Sequence, residues 1–271
     1  MAANATNNMQ AYTKSLLDPF DKTISQPKLL DGKVSRSSGI RLRATGEITC
    51  AGIGTTYVVL FPGTSNVIAW QTDPAVGPVT PQPFAGHLDT AADRANVKST
   101  RSVGTALRLS LVNSADQNEG YWEAARVPTC HLDFSFTAGS TSAVSMPMGG
   151  AGNLDLSNYS TYLTGKLRDI HRFQFKLNAI DNEIQFSRCA VEPPTTEQVV
   201  SEQWDTVIIK IHGRVEAGAP SQLMYDCISA QEVIYKENTA LARLMTSTAY
   251  VPQTKSLLTR TRFNPPGIQI A

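Results

Sequence analysis

The chain has 271 residues, with 24 Lys and Arg against 23 Asp and Glu, for a formal net charge of +1. That balance excludes a uniformly basic nucleic-acid binder and leaves only local basic segments for such contacts. Charged residues make up 17% of the chain, below the roughly 25% of ordinary globular domains, which suits surfaces that become buried against other copies.

Residues 1–38 read as an N-terminal arm. Apolar content is low, and Pro19, Pro27 and Gly32 interrupt it. Within it Gln10 to Leu17 reads as a short helix, ending before the Asp18-Pro19 turn. The opening MAANATNNMQAYTKS lacks the apolar run of a signal peptide, and no stretch approaches the roughly 18 apolar residues of a membrane span.

A β domain is expected over 39–250. Ile40–Cys50 alternates, Thr56–Phe61 is a compact apolar run, and Val67–Gln71 continues beyond a Pro-Gly turn. The prolines at 74, 78, 81 and 83 make 72–98 a surface excursion. In Val103–Val112, Leu107, Leu109 and Leu111 alternate with Arg108 and Ser110, as in a half-buried strand. A turn-rich loop, Asn113–Gly120, leads to Tyr121–Val127. Residues 129–165 are rich in Ser, Thr, Gly and Ala and read as a long loop with one short strand, Leu132–Phe136. Ile170–Leu177 and Ile184–Val191 flank the Asp181-Asn182-Glu183 turn, and Thr206–Val215 and Leu223–Tyr235 are the last strands. Asn238–Met245 is the best short helical exception, and 251–271 is a tail containing Pro265-Pro266. The fold class is all-β: an eight-stranded antiparallel jelly-roll sandwich with long inter-strand loops and extended terminal arms. Hairpins of such unequal length do not suit an up-and-down barrel.

Catalytic signatures are lacking. His87, His131, His171 and His212 fall in no HExxH or HxH spacing, and GxSxG, GxGxxG and GxxxxGK[ST] are missing. His212 reads as a strand-end residue with a backbone partner. Cys50, Cys130, Cys189 and Cys227 have neither CxxC nor Cys/His spacing, so they read as buried thiols. Asp181 and Glu183 have two readings: a contribution to a calcium site, or a hairpin turn. No cofactor is otherwise indicated.

Charge is uneven along the chain. After Glu237 there is no acid, while Arg243, Lys255, Arg260 and Arg262 are present. The arm carries Lys14, Lys22, Lys28, Lys33 and Arg36 against Asp18, Asp21 and Asp31. Arg243, Lys255, Arg260 and Arg262 at one end, with Lys14, Lys33 and Arg36 at the other, are the candidates for sequence-independent phosphate contacts.

Three segments, YTKSLLDPF (12–20), Ser102–Val127 and Trp204–Met245, resemble single jelly-roll capsid proteins of small icosahedral viruses. The likeness is to nodavirus- and tombusvirus-like coat proteins and to those of small circular single-stranded DNA viruses of bacilladnavirus type. The resemblance implies a coat protein without enzymatic activity, with 39–250 as the shell domain. In family lettering, Ile40–Cys50 and Thr56–Phe61 would be strands B and C, Ser102–Val127 the D–E region, Ile170–Leu177 and Ile184–Val191 F and G, and the last two H and I. Its partners would be many copies of itself in a closed shell, a genome of RNA or single-stranded DNA, and a host receptor that no residue identifies, with no membrane partner. Its place would be the virion, after synthesis in the host cytoplasm or nucleus. The family's arm is strongly basic, whereas this one carries only a small excess. The competing readings are a lectin-like or receptor-binding jelly roll without shell assembly and, behind it, a cupin-like enzyme, for which the histidines are wrongly spaced.

Overall fold

The computed structural model describes residues 2–29, 31–34, 36–50, 55–63, 67–72, 95–114, 119–137, 140–145, 155–181, 183–188, 201–213, 220–247 and 268–270. One sheet is built on β1 (Arg36–Thr49), β4 (Val97–Leu111), β9 (Phe173–Lys176) and β12 (Gln222–Tyr235), in the order β1-β12-β4-β9. The facing sheet uses β2 (Thr55–Leu60), β5 (Tyr121–Pro128), β8 (Leu163–Lys166) and β11 (Asp205–His212), in the order β2-β11-β5-β8. The chain crosses repeatedly between the two layers, which is the jelly-roll path. Short additions lie at the edges. β3 (Ile68–Thr72) pairs with β2, β13 (Thr246–Ser247) with β1, β10 (Ser187–Arg188) with β4, and β14 (Ile268–Ile270) with β9. A separate hairpin joins β6 (Asp133–Thr137) to β7 (Ser140–Ser145).

The two sheets face each other across one core. Alternate residues supply it: Val58 and Leu60 from β2, Leu107 and Leu109 from β4, Trp122 and Ala124 from β5, and Val207, Ile209 and Ile211 from β11. Aromatic rings cross the gap. Trp122 meets Phe173 and Phe175 edge-on, with centroids 4.8 and 5.6 Å apart, and Trp70 meets Tyr225 at 5.1 Å. Such contacts add to the area they bury. β2 and β11 are buried on both faces, which is why TYVVLF and VIIKI read as continuous apolar runs. On the other face Tyr57, Val59, Phe61, Ala125, Val127 and Ile208 form a second cluster, covered by Leu132, Leu156, Tyr159 and Tyr162 from the long β5–β8 connection.

Several expectations change. The four-residue β8 occupies the position of strand F, and Phe173–Lys176 that of G; Leu167–Arg172 is a 3-10 turn. β8 lacks apolar alternation because the Trp122 indole fills the space beside Gly165, where a Cβ would sit 3.0 Å from the ring nitrogen. Of the expected strand 184–191, Ser187–Arg188 pairs, and 189–191 lie outside the described residues. The 72–98 excursion falls mostly outside them too. The helix is longer than expected, α1 spanning Ala2–Leu17, and Ala240–Leu244 is a 3-10 turn. Cys50 and Cys227 are buried thiols as expected, with burial pushing Cys50 up to about 11, but Cys130 is exposed in a 3-10 turn.

The stretch expected to be an arm contributes Tyr12 and Leu29 to the principal core. α1 crosses β4 at Gly104, where a Cβ would lie 3.1 Å from the Ser15 carbonyl oxygen. The Lys176 ammonium donates to the last helix carbonyls, Leu16 (3.2 Å) and Leu17 (3.0 Å), satisfying acceptors that a helix end leaves open. The chain then turns back, and Gln26-Pro27 crosses β1 at Gly39. A Cβ there would sit 2.4 Å from the Gln26 carbonyl carbon, so only glycine admits this crossing. Gln26 itself has φ +46°.

Candidate functional site

The strap formed by residues 24–34 is fastened by buried charge. Arg101 on β4 and Glu232 on β12 occupy opposed positions and have fully buried side chains. Their charges meet at 2.7 Å, and the Arg101 guanidinium also reaches Asp31 at 2.7 Å and donates to the Leu29 carbonyl at 2.9 Å. Glu232 accepts from the Leu29 amide at 3.0 Å and from the Ser37 hydroxyl. The Lys28 ammonium bonds the carbonyls of Ser37 and Thr246 and the Thr246 hydroxyl. Burial lowers its pKa, partly offset by Glu232. Tyr12 is buried beside the network, and desolvation raises its phenol well above the usual value. Phe186 covers the Arg101 guanidinium at 4.2 Å. Buried ions persist only when paired and hydrogen-bonded, so the strap and strands β1, β4 and β12 depend on one another. The sequence signal was a lone Glu in the apolar QEVIY and a lone Arg in STRSV; partners 70 and 131 positions apart are invisible to local pattern.

The basic candidates divide. Lys14 is turned inward along the chain, 3.1 Å from Asp21 and donating to Thr23 at 2.6 Å. Lys33 lies 3.7 Å from Glu183, and Arg36 donates to the Met245 carbonyl at 3.0 Å. Lys33 and Arg36, with Lys98 at the start of β4, line one cleft of about 540 Å³ whose apolar wall includes Ile234, Tyr235, Ala242 and Met245. Arg243 is exposed beside Ala242, one residue outside that lining. Lys255, Arg260 and Arg262 lie outside the described residues. Lys98 is a cleft cation that charge counting at the chain ends missed.

Asp181 and Glu183 are both exposed. The Asp181 carboxylate accepts from the Glu183 amide at 3.2 Å, a turn geometry, and Glu183 faces Lys33. No group of three or more His, Cys, Asp or Glu able to hold a metal ion occurs among the described residues. His212 ends β11, but its contact is a carboxylate: Nε2 lies 2.7 Å from Glu123, and Tyr121 stacks on the ring at 4.1 Å. Desolvation lowers the imidazole pKa, with Glu123 opposing. The pair joins two neighbouring strands, and the Thr55 hydroxyl lies 3.4 Å from the ring's Nδ1. Among the described residues, no helix is long and apolar enough to cross a membrane.

Comparison with known proteins gives this geometry its context. The family model described as "Shotokuvirus capsid protein" matches residues 7–86, 80–195 and 190–266. The capsid protein of Avon-Heathcote Estuary associated kieseladnavirus is 30% identical over 89% of this chain and 83% of its own. That of Chaetoceros diatodnavirus 1 is 26% identical over 92% and 78%. Among solved structures, that of infectious bursal disease virus, Gx strain, superposes with a TM-score of 0.60 at 11% identity, covering 96% of each chain. A T13 particle of the same virus gives 0.53 at 12% identity, over 100% of this chain and 95% of that one. The structural likeness carries the jelly-roll fold. The sequence matches, spread over nearly the whole chain, carry a structural role in the virion in place of catalysis, and by them the chain belongs to the Shotokuvirus capsid protein family.

Proposed function

We propose that many copies of this chain close into an icosahedral shell around a viral genome of RNA or single-stranded DNA, held without sequence preference. The observation that carries this reading is the jelly-roll sandwich spanning the chain from β1 to β14, in a member of a capsid protein family. Near-zero net charge lets copies approach without strong mutual repulsion. Repeated heterologous contacts between copies close into a shell when their geometry permits.

In this reading 1–38 is chiefly a fastening, since Lys14 and Lys28 face partners within the chain. Arg243 and the acid-free tail with Lys255, Arg260 and Arg262 then add to the cationic charge facing the genome. The 39–250 unit forms the wall.

Negative-stain electron microscopy of the purified chain, with the 260/280 nm absorbance ratio read on the same sample, tests the proposal. Closed, uniform particles with a raised ratio are expected. A persistent monomer across ionic strength and pH would sink it and favour a binding module. Neutralising Lys255, Arg260 and Arg262 together is expected to lower the packaged nucleic acid and its salt sensitivity; no change in either would remove the tail from the proposal.

A further inference from the structure

The cleft walled by Lys33, Arg36, Lys98 and Met245 belongs to neither the sandwich core nor the buried charge network. It measures about 540 Å³, within the range of small-ligand sites. Its cations come from separate places in the chain: Lys33 from the end of the strap, Arg36 from the first residue of β1, and Lys98 from the second residue of β4. Glu237 is the single carboxylate among the described lining residues. Lys98 is exposed and makes no ion pair among the described residues.

Topology gathers further charge at this place. β13 pairs Thr246 and Ser247 with Ser37 and Arg36, next to Met245 and Arg36 of the cleft lining. Arg243 is exposed in the 3-10 turn whose next residues lead to Met245. The apolar wall, with Ile234, Tyr235 and Met245, packs into a small buried cluster with Val97 and Val233.

We propose that this cleft seats a phosphate–sugar–base unit of single-stranded nucleic acid, with Lys98 facing phosphate, Lys33 and Arg36, which also hold Glu183 and the Met245 carbonyl, adding positive field, and the apolar wall facing the sugar and base edge. This rests on the coat-protein reading and names the part of the subunit that meets the genome. An acidic peptide would also suit the charge, but three cations beside an apolar wall in a cleft of about 540 Å³ match one phosphate with its sugar and base. Tyr235 is 1% exposed, so it offers no open ring for stacking. Affinity therefore comes from phosphate, with weak base preference and strong salt dependence.

The test is ultraviolet cross-linking of the full chain to short single-stranded DNA and RNA carrying photoreactive pyrimidines, followed by peptide mapping. Anisotropy titrations accompany it, using the same oligonucleotides, inorganic polyphosphate and a poly-glutamate peptide. Cross-links are expected on peptides holding 33–36, 98 and 234–245. Lys98→Glu is expected to weaken oligonucleotide binding about tenfold and to lower the log–log salt slope by about 0.7, the share of one phosphate contact on a single strand. The ratio of DNA to RNA affinity identifies which strand chemistry the cleft prefers. Cross-links confined to other segments, or undiminished binding by Lys98→Glu, would overturn the proposal. Polyphosphate or poly-glutamate binding as tight as the oligonucleotides' would overturn the sugar–base part. If Lys98→Glu does not fold, Lys98→Ala and the cross-link map of the unaltered chain decide. Electron microscopy of the same samples separates the two readings: particles with cross-links elsewhere reject the cleft alone, whereas cleft cross-links without particles reject the shell.

Discussion

The two sheets are covered by opposite chemistry. Over β4 and β12 the covering strap is held by ions, with Arg101, Glu232 and Lys28 buried and Asp31 partly so. Over β2, β11 and β5 the cover is apolar, with Tyr57, Phe61 and Ile208 under Leu132, Leu156 and Tyr159. Apolar burial is non-directional and tolerates repacking. A buried ion pair adds little net stability compared with hydrophobic replacements, yet losing one partner is severe. The strap is therefore fixed in one register by its charges, while the opposite cover is held chiefly by apolar area, with hydrogen bonds such as that from the Arg126 amide to the Thr161 hydroxyl. A register-fixed strap places Lys33 and Arg36 reproducibly beside Lys98 and the β13 exit.

The largest expected effect comes from breaking the ionic side. Glu232→Ala leaves Arg101 buried with only Asp31 to balance it, and about 3–5 kcal/mol of subunit stability should be lost. Denaturant unfolding measures this, and limited proteolysis should show cleavage within 1–34. A loss below about 1 kcal/mol would mean the charges are passengers. On the apolar side, Ile208→Ala should remove about 2–4 kcal/mol through the cavity it opens, with no dependence on salt and with the strap still protected. Strap cleavage in that variant would show that the two covers are not independent. Gly39→Ala is gentler, about 1–3 kcal/mol, because the strap must lift off β1 to admit the methyl. Its signature is strap proteolysis out of proportion to the stability lost.

What the sequence made legible follows the same division. Period-2 alternation named β1 and β4, which turn an apolar face to the core, while β11 was named by a continuous apolar run because both its faces are buried. β8 escaped because Trp122, from the neighbouring strand, supplies the volume that Gly165 lacks. α1 was half visible, since AANATNN carries no apolar stripe. The buried network could not be read at all: Arg101 and Glu232 look like surface charges until the strap lies over them. Of the expected phosphate contacts, Lys33 and Arg36 came together only because strap and β1 meet there, while Lys14 was taken by Asp21 just beyond the end of its own helix.

The smallest effect separates neutral from acidic pH at the contact between sheets and helix. Asp205 is buried where β11 begins, 3.2 Å from Arg126 and accepting from the Asn178 amide at 2.6 Å. Desolvation outweighs both and raises its pKa to about 6. Arg126 in turn donates to the carbonyl of Lys176, whose ammonium caps α1 and is lowered by burial to about 8. For Asp205 the folded value lies above the unfolded one, so its contribution is complete below about pH 4 and is lost as pH rises through 6. For Lys176 the folded value lies below, so its contribution is present above the unfolded range and is lost as pH falls through 8. Between 6 and 8 both groups are charged against their surroundings, and stability from this cluster passes through a minimum. Going from pH 7 to pH 5 should strengthen the subunit by about 1 kcal/mol at this site. Asp205→Asn should abolish that acid-side gain in pH-dependent denaturant titrations and leave the alkaline limb intact. An unchanged acid limb in the variant would assign the effect to another carboxylate.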